Sequence, residues 1–247
     1  VLEELVAELD LLKLPWTADQ SGPKGSIAQK MFGAVADSEV FVTPMAAVAG
    51  AVADEMLETM LVEAKKPDSC IDHVRKMYVN NGGDIAFWLN EGESFSIGVV
   101  DNPQIPELNA KVSLAHESQV RGIATSGWRG RSLSLGIADA VTVLAKSAAV
   151  ADVAATLIAN EVNVDFTGIE KRPASEVKDD SDLGMIPVTV VVPDLAEDKI
   201  YIALEQGAKS ARKFIKDGKI TAAYLSLQKQ TLVIENDDKI ERAIINN

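Results

Sequence analysis

The sequence predicts an α+β fold. Strand-like stretches come in adjacent groups separated by helices, instead of alternating one strand to one helix. The helical stretches between them are rich in Ala and Val, and aromatic residues are only 5% of the chain, so Ala, Val, Ile and Leu must build the core. A chain of 247 residues can bury a large core, and no shift in composition divides it, so one domain over 1–247 is expected.

Val1 to Lys13 carries Leu2, Leu5, Val6, Leu9 and Leu12 near helical spacing and reads as one amphipathic helix. Leu14 to Gly25, with two prolines, two glycines and a tryptophan, reads as a loop. Ser26 to Ala36 reads as a helix and Glu39 to Thr43 as a short strand. Pro44 suits a first helical position and opens a helix to about Ala64. KMYVN, DIAFWLN and SFSIGVV between Lys76 and Val100 read as strands, the last two separated by the turn Glu91-Gly92-Glu93. Asp101 to Ala110 is a Pro/Asn-rich loop, and Lys111 to Ala115 reads as an edge strand. Arg121 to Ser126 and Ser132 to Leu135 read as strands around Gly127-Trp128-Arg129-Gly130. Ala140 to Ala145 is a strand and Ser147 to Asn160 an Ala-rich helix. Gly168 to Asp182 reads as a loop and Pro187 to Val192 as a strand. Glu197 to Asp217 is a long amphipathic helix stopped by Gly218, and Ile220 to Leu227 and Gln230 to Ile234 are the last strands. TPMAAVAGAVADEML and AKSAAVADVAATLIA echo one another, which leaves open an internal duplication or two helices of similar composition.

Charge bounds the partners. The net charge of −13 repels phosphate backbones and anionic membranes, so neither nucleic acid nor a membrane surface is an expected partner. Arg121, Arg129 and Arg131 are candidates for a local cationic pocket. One cysteine, Cys70, excludes an internal disulfide and a multi-cysteine zinc site, and suits a reducing cytoplasm. No apolar run reaches the ~18 residues of a membrane span, and no signal peptide is visible in a sequence that begins at Val1. Cys70 near Asp72 and His73 is either an activated thiol or a bystander. His73 and His116 form no metal motif, and there is no GxSxG, P-loop or GxGxxG pattern.

Two stretches carry candidate chemistry. In YVNNGGDIAFWL, Asn81-Gly82 can supply the positive φ of a tight hairpin turn. The same Asn81-Gly82-Gly83-Asp84 can instead be a loop whose amides and single carboxylate meet a ligand. In SAAVADVAATLIAN, Asp152 and Thr156 are four apart and share a helix face among apolar neighbours. A carboxylate there either faces water near the helix N-terminus or has a partner, such as a hard cation that prefers oxygen ligands.

Four segments, TPMAAVAGAVADEM, YVNNGGDIAFWL, GIATSGWRGRSLSLGIADAVTVLA and SAAVADVAATLIANEV, resemble in their order the ApbE superfamily of flavin-binding proteins and FMN transferases. They cover roughly Thr43 to Val162. The likeness is greatest to an uncharacterised archaeal and anaerobic-bacterial branch, which alone matches DSDLG and ALEQGAKSARKFIKDGKI in the tail. The resemblance implies an ApbE-like, T-fold-related arrangement of antiparallel sheets packed with helices. It also implies cofactor contacts at Gly50 and Asp54, at Gly82, Gly83 and Asp84 beside Asn81, and at Thr125, Ser126 and Gly127. It places magnesium at Asp152 and Thr156, beside the flavin diphosphate, and implies FAD or FMN as the cofactor. Two features depart from the family: Ala49 replaces its lysine, and SLSLGIADAVTVLA lacks its His-x-x-Asp-Pro-x-x-Gly loop, keeping only Asp139. Both departures argue against flavin transfer, and no catalytic residue is assigned.

Three functions follow as expectations. The first is a cofactor- or small-molecule-binding protein with a Mg²⁺-assisted flavin or nucleotide site, whether or not it is an enzyme. The second, implied by the branch's link to sulfur assimilation, is a non-catalytic accessory or carrier protein. The third is a structural homo-oligomer built through the Ala-rich helices.

Overall fold

The structure, a computed structural model, describes residues 2–66, 74–102, 104–105, 107–235 and 244–246. It is α+β, with helices packed against antiparallel sheets.

The N-terminal segment forms two short helices, α1 (Leu2–Ala7) and α2 (Leu9–Leu12), not one. Glu8 breaks the helix: it leaves helical geometry, and its carboxylate accepts the Lys24 and Gly25 N–H groups at 2.7 and 2.8 Å. After α3 (Ser26–Val35), the expected strand at Glu39 to Thr43 is irregular chain. Among the described residues it has no strand neighbour; Val42 C=O accepts one N–H, from Trp16, at 2.9 Å. Pro44 opens a 3₁₀ turn (Pro44–Ala47) that runs into α4 (Val48–Ala64).

Next come β1 (Lys76–Asn81), β2 (Asp84–Leu89), β3 (Ser94–Val99), β4 (Ala110–Ala115), β5 (Gly122–Ser126) and β6 (Ala140–Ala145). The chain continues through α5 (Ala148–Glu161), β7 (Glu170–Pro173), α6 (Ala174–Val177), β8 (Pro187–Val191), α7 (Glu197–Lys216), β9 (Ile220–Leu227), β10 (Gln230–Glu235) and β11 (Ile244–Asn246).

Three further expectations need correction. Ser132 to Leu135 is not a strand, because the Asn160 side chain takes the Leu135 N–H at 2.9 Å in place of a ladder partner. Lys111 to Ala115 is not an edge: β4 lies between β3 and β11. Gly168 to Asp182 contains β7 and α6, because β7 pairs with β8 across the intervening loop.

The main sheet has six strands in the order β1-β2-β5-β6-β9-β10, every pair antiparallel. Alternation along β9 shows how it is covered. Ala223, Leu225 and Leu227 pack with α5 and α7 on one face, while Ala222 and Tyr224 pack with β3 and β4 on the other. The molecule is therefore layered as helices, a six-stranded sheet and a three-stranded sheet. Burial on both faces explains why AVTVLA in β6 is continuously apolar apart from one threonine and wholly buried.

Helix α5 is the pivot. Its Ala151, Ala154, Ala155 and Ile158 pack on the main sheet, while Ala149, Val153 and Leu157 pack under α2 and α3. A helix buried on nearly all sides is apolar on nearly all sides. This positions the few polar residues it keeps.

Candidate functional site

The polar stripe left on α5 is Asp152, Thr156 and Asn160, at successive intervals of four. The three line one cleft of about 250 Å³. Its other walls are the start of α4, including Ala49, the first residue of β2, Asp84, the 132–135 segment and the 178–183 loop. That loop is tied to the approach of α4, where Thr43 Oγ1 donates to Asp182 Oδ2 at 2.5 Å.

Asp152 reaches out of α5 to the first turn of α4. Its Oδ2 accepts the Gly50 N–H at 3.0 Å, and the Ala49 amide also donates to it. Asp54 does the converse. Its two oxygens accept the Ala148 and Ala149 N–H groups, at 3.0 and 2.9 Å, in the first turn of α5. Each helix thus lends an aspartate to the other's N-terminus, where unpaired amides and the helix dipole favour negative charge. The two aspartates close the matching Ala-Val-Ala-Asp stretches Ala51–Asp54 and Ala149–Asp152.

The cleft is electrostatically tense. Burial pushes the Asp152 carboxyl well above its ordinary value, and the charges of Asp84 and Asp54 push it further; the Gly50 and Ala49 amides oppose the shift. Burial pushes Asp84 up to about 6, against the Thr125 amide and the Arg131 guanidinium. Asp84 Oδ1 is buried with no hydrogen-bond partner.

Asp84, Asp152 and Thr156 line one cleft, with the Gly50 amide at its margin. The other predicted residues lie around them. Asp54 turns into a separate cavity of about 440 Å³ that is also lined by Lys30, Arg121 and Lys146. Asn81 is the last residue of β1, and its Nδ2 donates to the Ala49 C=O at 3.1 Å. The tight turn is Gly82-Gly83, not Asn81-Gly82: φ is 73° and 113° there, while Asn81 pairs with Asp84 in the ladder. Two positive φ values in a two-residue loop make the twist that joins antiparallel strands, so the hairpin reading holds for the backbone. Thr125 meets Thr142 across the sheet at 2.8 Å, Ser126 is buried at the end of β5, and Gly127 begins the following turn.

The three arginines form no common pocket. Arg121 donates to the carbonyls of His116, Ser118 and Val120; Arg129 pairs with Asp139 at 2.6 Å and stacks on Trp128; Arg131 lies near Gly82 and Asp84. Asp139 is also held by the Trp128 indole N–H and the Gln228 amide, which gives it a structural role. His116 bonds the Leu89 carbonyl through Nδ1 at 2.8 Å. Cys70, Asp72 and His73 lie outside the described residues.

Asn160, Thr43 and Asp182 were missed as cleft residues. Asn160 was legible, since it extends the stripe begun by Asp152 and Thr156. The Thr43–Asp182 contact joins positions 139 apart and left no local signal.

These features define an α+β protein with an oxygen-lined acidic cleft at the meeting of two helices. A family described as AbpE bacteria matches residues 1–241, and the chain belongs to it. The chain is also similar to UPF0280 proteins of methanogenic archaea. It is 34% identical to one from Methanopyrus kandleri, over 61% of this chain and 56% of that protein. It is 38% identical to one from Methanobrevibacter smithii, over 55% and 52%. With one from Methanothrix thermoacetophila it shares 34% identity over 66% and 65%. The chain thus spans between about half and two thirds of the length of these relatives. Among the described residues, no helix is long and apolar enough to cross a membrane.

Proposed function

We propose that this chain binds a phosphorylated small molecule, a flavin or a nucleotide, together with Mg²⁺ at Asp84, Asp152 and Thr156. One observation carries the reading: Asp84 Oδ1 is buried without a partner beside a second carboxylate that its charge opposes. Two such groups are costly unless a proton or a cation lies between them. The donors are carboxylates and a hydroxyl, which suit a hard cation. Among the described residues, no three His, Cys, Asp or Glu side chains gather into a metal cluster. Mg²⁺ fits that restraint, because it is commonly held by one or two carboxylates and completes its shell with water and phosphate oxygens.

The chain's own residues would divide the work. Asp152 and Asp84 supply charge, Thr156 an oxygen, and the first-turn amides of α4 hold Asp152 in place. When bound, Mg²⁺ would neutralise phosphate charge that an acidic protein otherwise repels. Ala49 stands at the wall where the resembled family has lysine, so the reading is of binding, not of flavin transfer.

Thermal melting with FAD, FMN and ADP, each with and without Mg²⁺, tests this. A ligand at 100 times its Kd adds about 2.7 kcal/mol of stability. The expected result is a Mg²⁺-dependent rise with at least one ligand, lost in both Asp152→Asn and Asp84→Asn. If no ligand shifts the melt with Mg²⁺, the reading fails and a structural or partner-binding role takes its place.

A further inference from the structure

The acidic cleft does not stand alone. A second chamber of about 520 Å³ lies on the other side of Phe41, Leu135, Leu157 and Asn160, and these four residues wall both spaces. Helix α5 floors both: Asp152 and Thr156 face the cleft, while Val150, Val153 and Ala154 line the chamber, with Phe214 of α7 beside them. One helix therefore lines two adjoining spaces: acidic where Asp152 faces the cleft, and apolar on the floor of the chamber, whose rim carries charged side chains such as Glu161, Lys209 and Lys213.

Size favours continuity. Pockets for ligands of cofactor size run from about 300 to 1,000 Å³. The cleft alone is below that range, and the two spaces together fall inside it. The partition is uneven. Leu157 is buried in the core, Asn160 is spent on the Leu135 amide, but Phe41 is 46% exposed on chain outside any helix or strand. Its neighbour Val40 is 55% exposed, so two large apolar side chains stand at the mouth of a chamber whose floor is apolar and whose rim is charged. The same segment is latched to α7 by Glu39 and Lys213 at 2.5 Å.

We propose that the chamber holds the apolar body of the ligand whose phosphate end sits at Asp84, Asp152 and Thr156, with Phe41 as the gate between them. The ligand class is a phosphate ester carrying an extended apolar or aromatic group. This rests on the cation-and-phosphate reading of the cleft. Turning Phe41 disturbs little core packing, and its ring would then cover the ligand.

Calorimetric titration with inorganic phosphate, hexyl phosphate and octyl phosphate, each with and without Mg²⁺, separates the two ideas. The step from hexyl to octyl should tighten binding roughly tenfold, the order expected for two methylenes leaving water. Ser210→Trp, half-buried on α7 at the chamber wall, should abolish that gain and leave Mg²⁺-dependent inorganic phosphate binding unchanged. Should that variant not fold, the series on the unaltered protein decides by itself. Mg²⁺-dependent phosphate binding with no gain from chain length overturns the chamber's role and leaves the cleft reading standing. A gain that is the same without Mg²⁺ makes the chamber a separate apolar site and overturns continuity. No phosphate binding of any kind overturns both.

Discussion

A Cβ built on Gly50 would lie 2.7 Å from the Ala149 nitrogen and closer still to the Ala148 carbonyl, both of them backbone atoms. Backbone cannot swing aside as a side chain can, so Gly50→Ala must push α4 and α5 apart. Overpacking of this kind costs about 1–3 kcal/mol. The same movement would strain the Gly50 N–H bond to Asp152. Gly33 is the internal control: it is exposed in α3 with nothing within 4 Å of a built Cβ, so Gly33→Ala should stabilise by about 0.5–1 kcal/mol. Urea unfolding of the two variants compares them directly. Equal effects would mean that the helices are not held in contact at Gly50.

The exchange of caps between α4 and α5 makes opposite demands on two similar aspartates. Asp54 receives two amides, so Asp54→Ala should cost about 1–2 kcal/mol, the scale of a good helix cap. Asp152 also receives amides, but it faces the charge of Asp84. Asp152→Asn keeps an acceptor and removes the repulsion, so without ligand it should melt at or above the temperature of the unaltered protein. A clear fall in melting temperature would show that the charge itself stabilises the helix junction. The sequence carried part of this. Its helices were legible because α7 shows the 3.6 period and α5 is rich in Ala and apolar on most sides. The strands β1, β2, β3, β5, β6, β8, β9 and β10 were legible from β-branched runs and turn residues. Which helix Asp152 serves was not legible, because its donor, the Gly50 N–H, lies 102 positions away. Glu39 to Thr43 misled because its Val-Phe-Val composition suits a strand, while a strand also needs a neighbour, which composition does not supply.

Across the whole molecule, the small sheet is tied to the large one by a buried carboxyl group. Asp101, just beyond β3, accepts the Tyr224 and Ser226 hydroxyls of β9 on Oδ2, at 3.0 and 2.6 Å, while its Oδ1 is buried without a partner. Burial raises its pKa and the Asp139 charge adds to the shift; the two hydroxyls oppose it. A raised carboxyl binds its proton more tightly in the folded than in the unfolded chain. Its contribution is therefore full below the ordinary carboxylate range and is lost as pH rises through the folded value. Asp101→Asn keeps an acceptor but cannot ionise. Its unfolding free energy should gain on that of the unaltered protein as pH rises from about 4 to 7. A difference that stays constant with pH would show that Asp101 is not shifted by folding.

The crossed aspartates also bear on how the chain is made. Asp54 closes on amides 94 and 95 positions later, and Gly50 on a carboxylate 102 positions later. Ser147 caps the Val150 N–H of α5 from nearby, but the Ala148 and Ala149 amides of α5 and the Gly50 amide of α4 wait on the closing of long loops, a slow event in folding. During synthesis from the N-terminus, the Ala49 and Gly50 amides of α4 lack their Asp152 acceptor until α5 has followed. The cleft is then completed only once α5 is in place, so on the proposed reading a half-made chain lacks the Asp152 and Thr156 oxygens that would hold the cation.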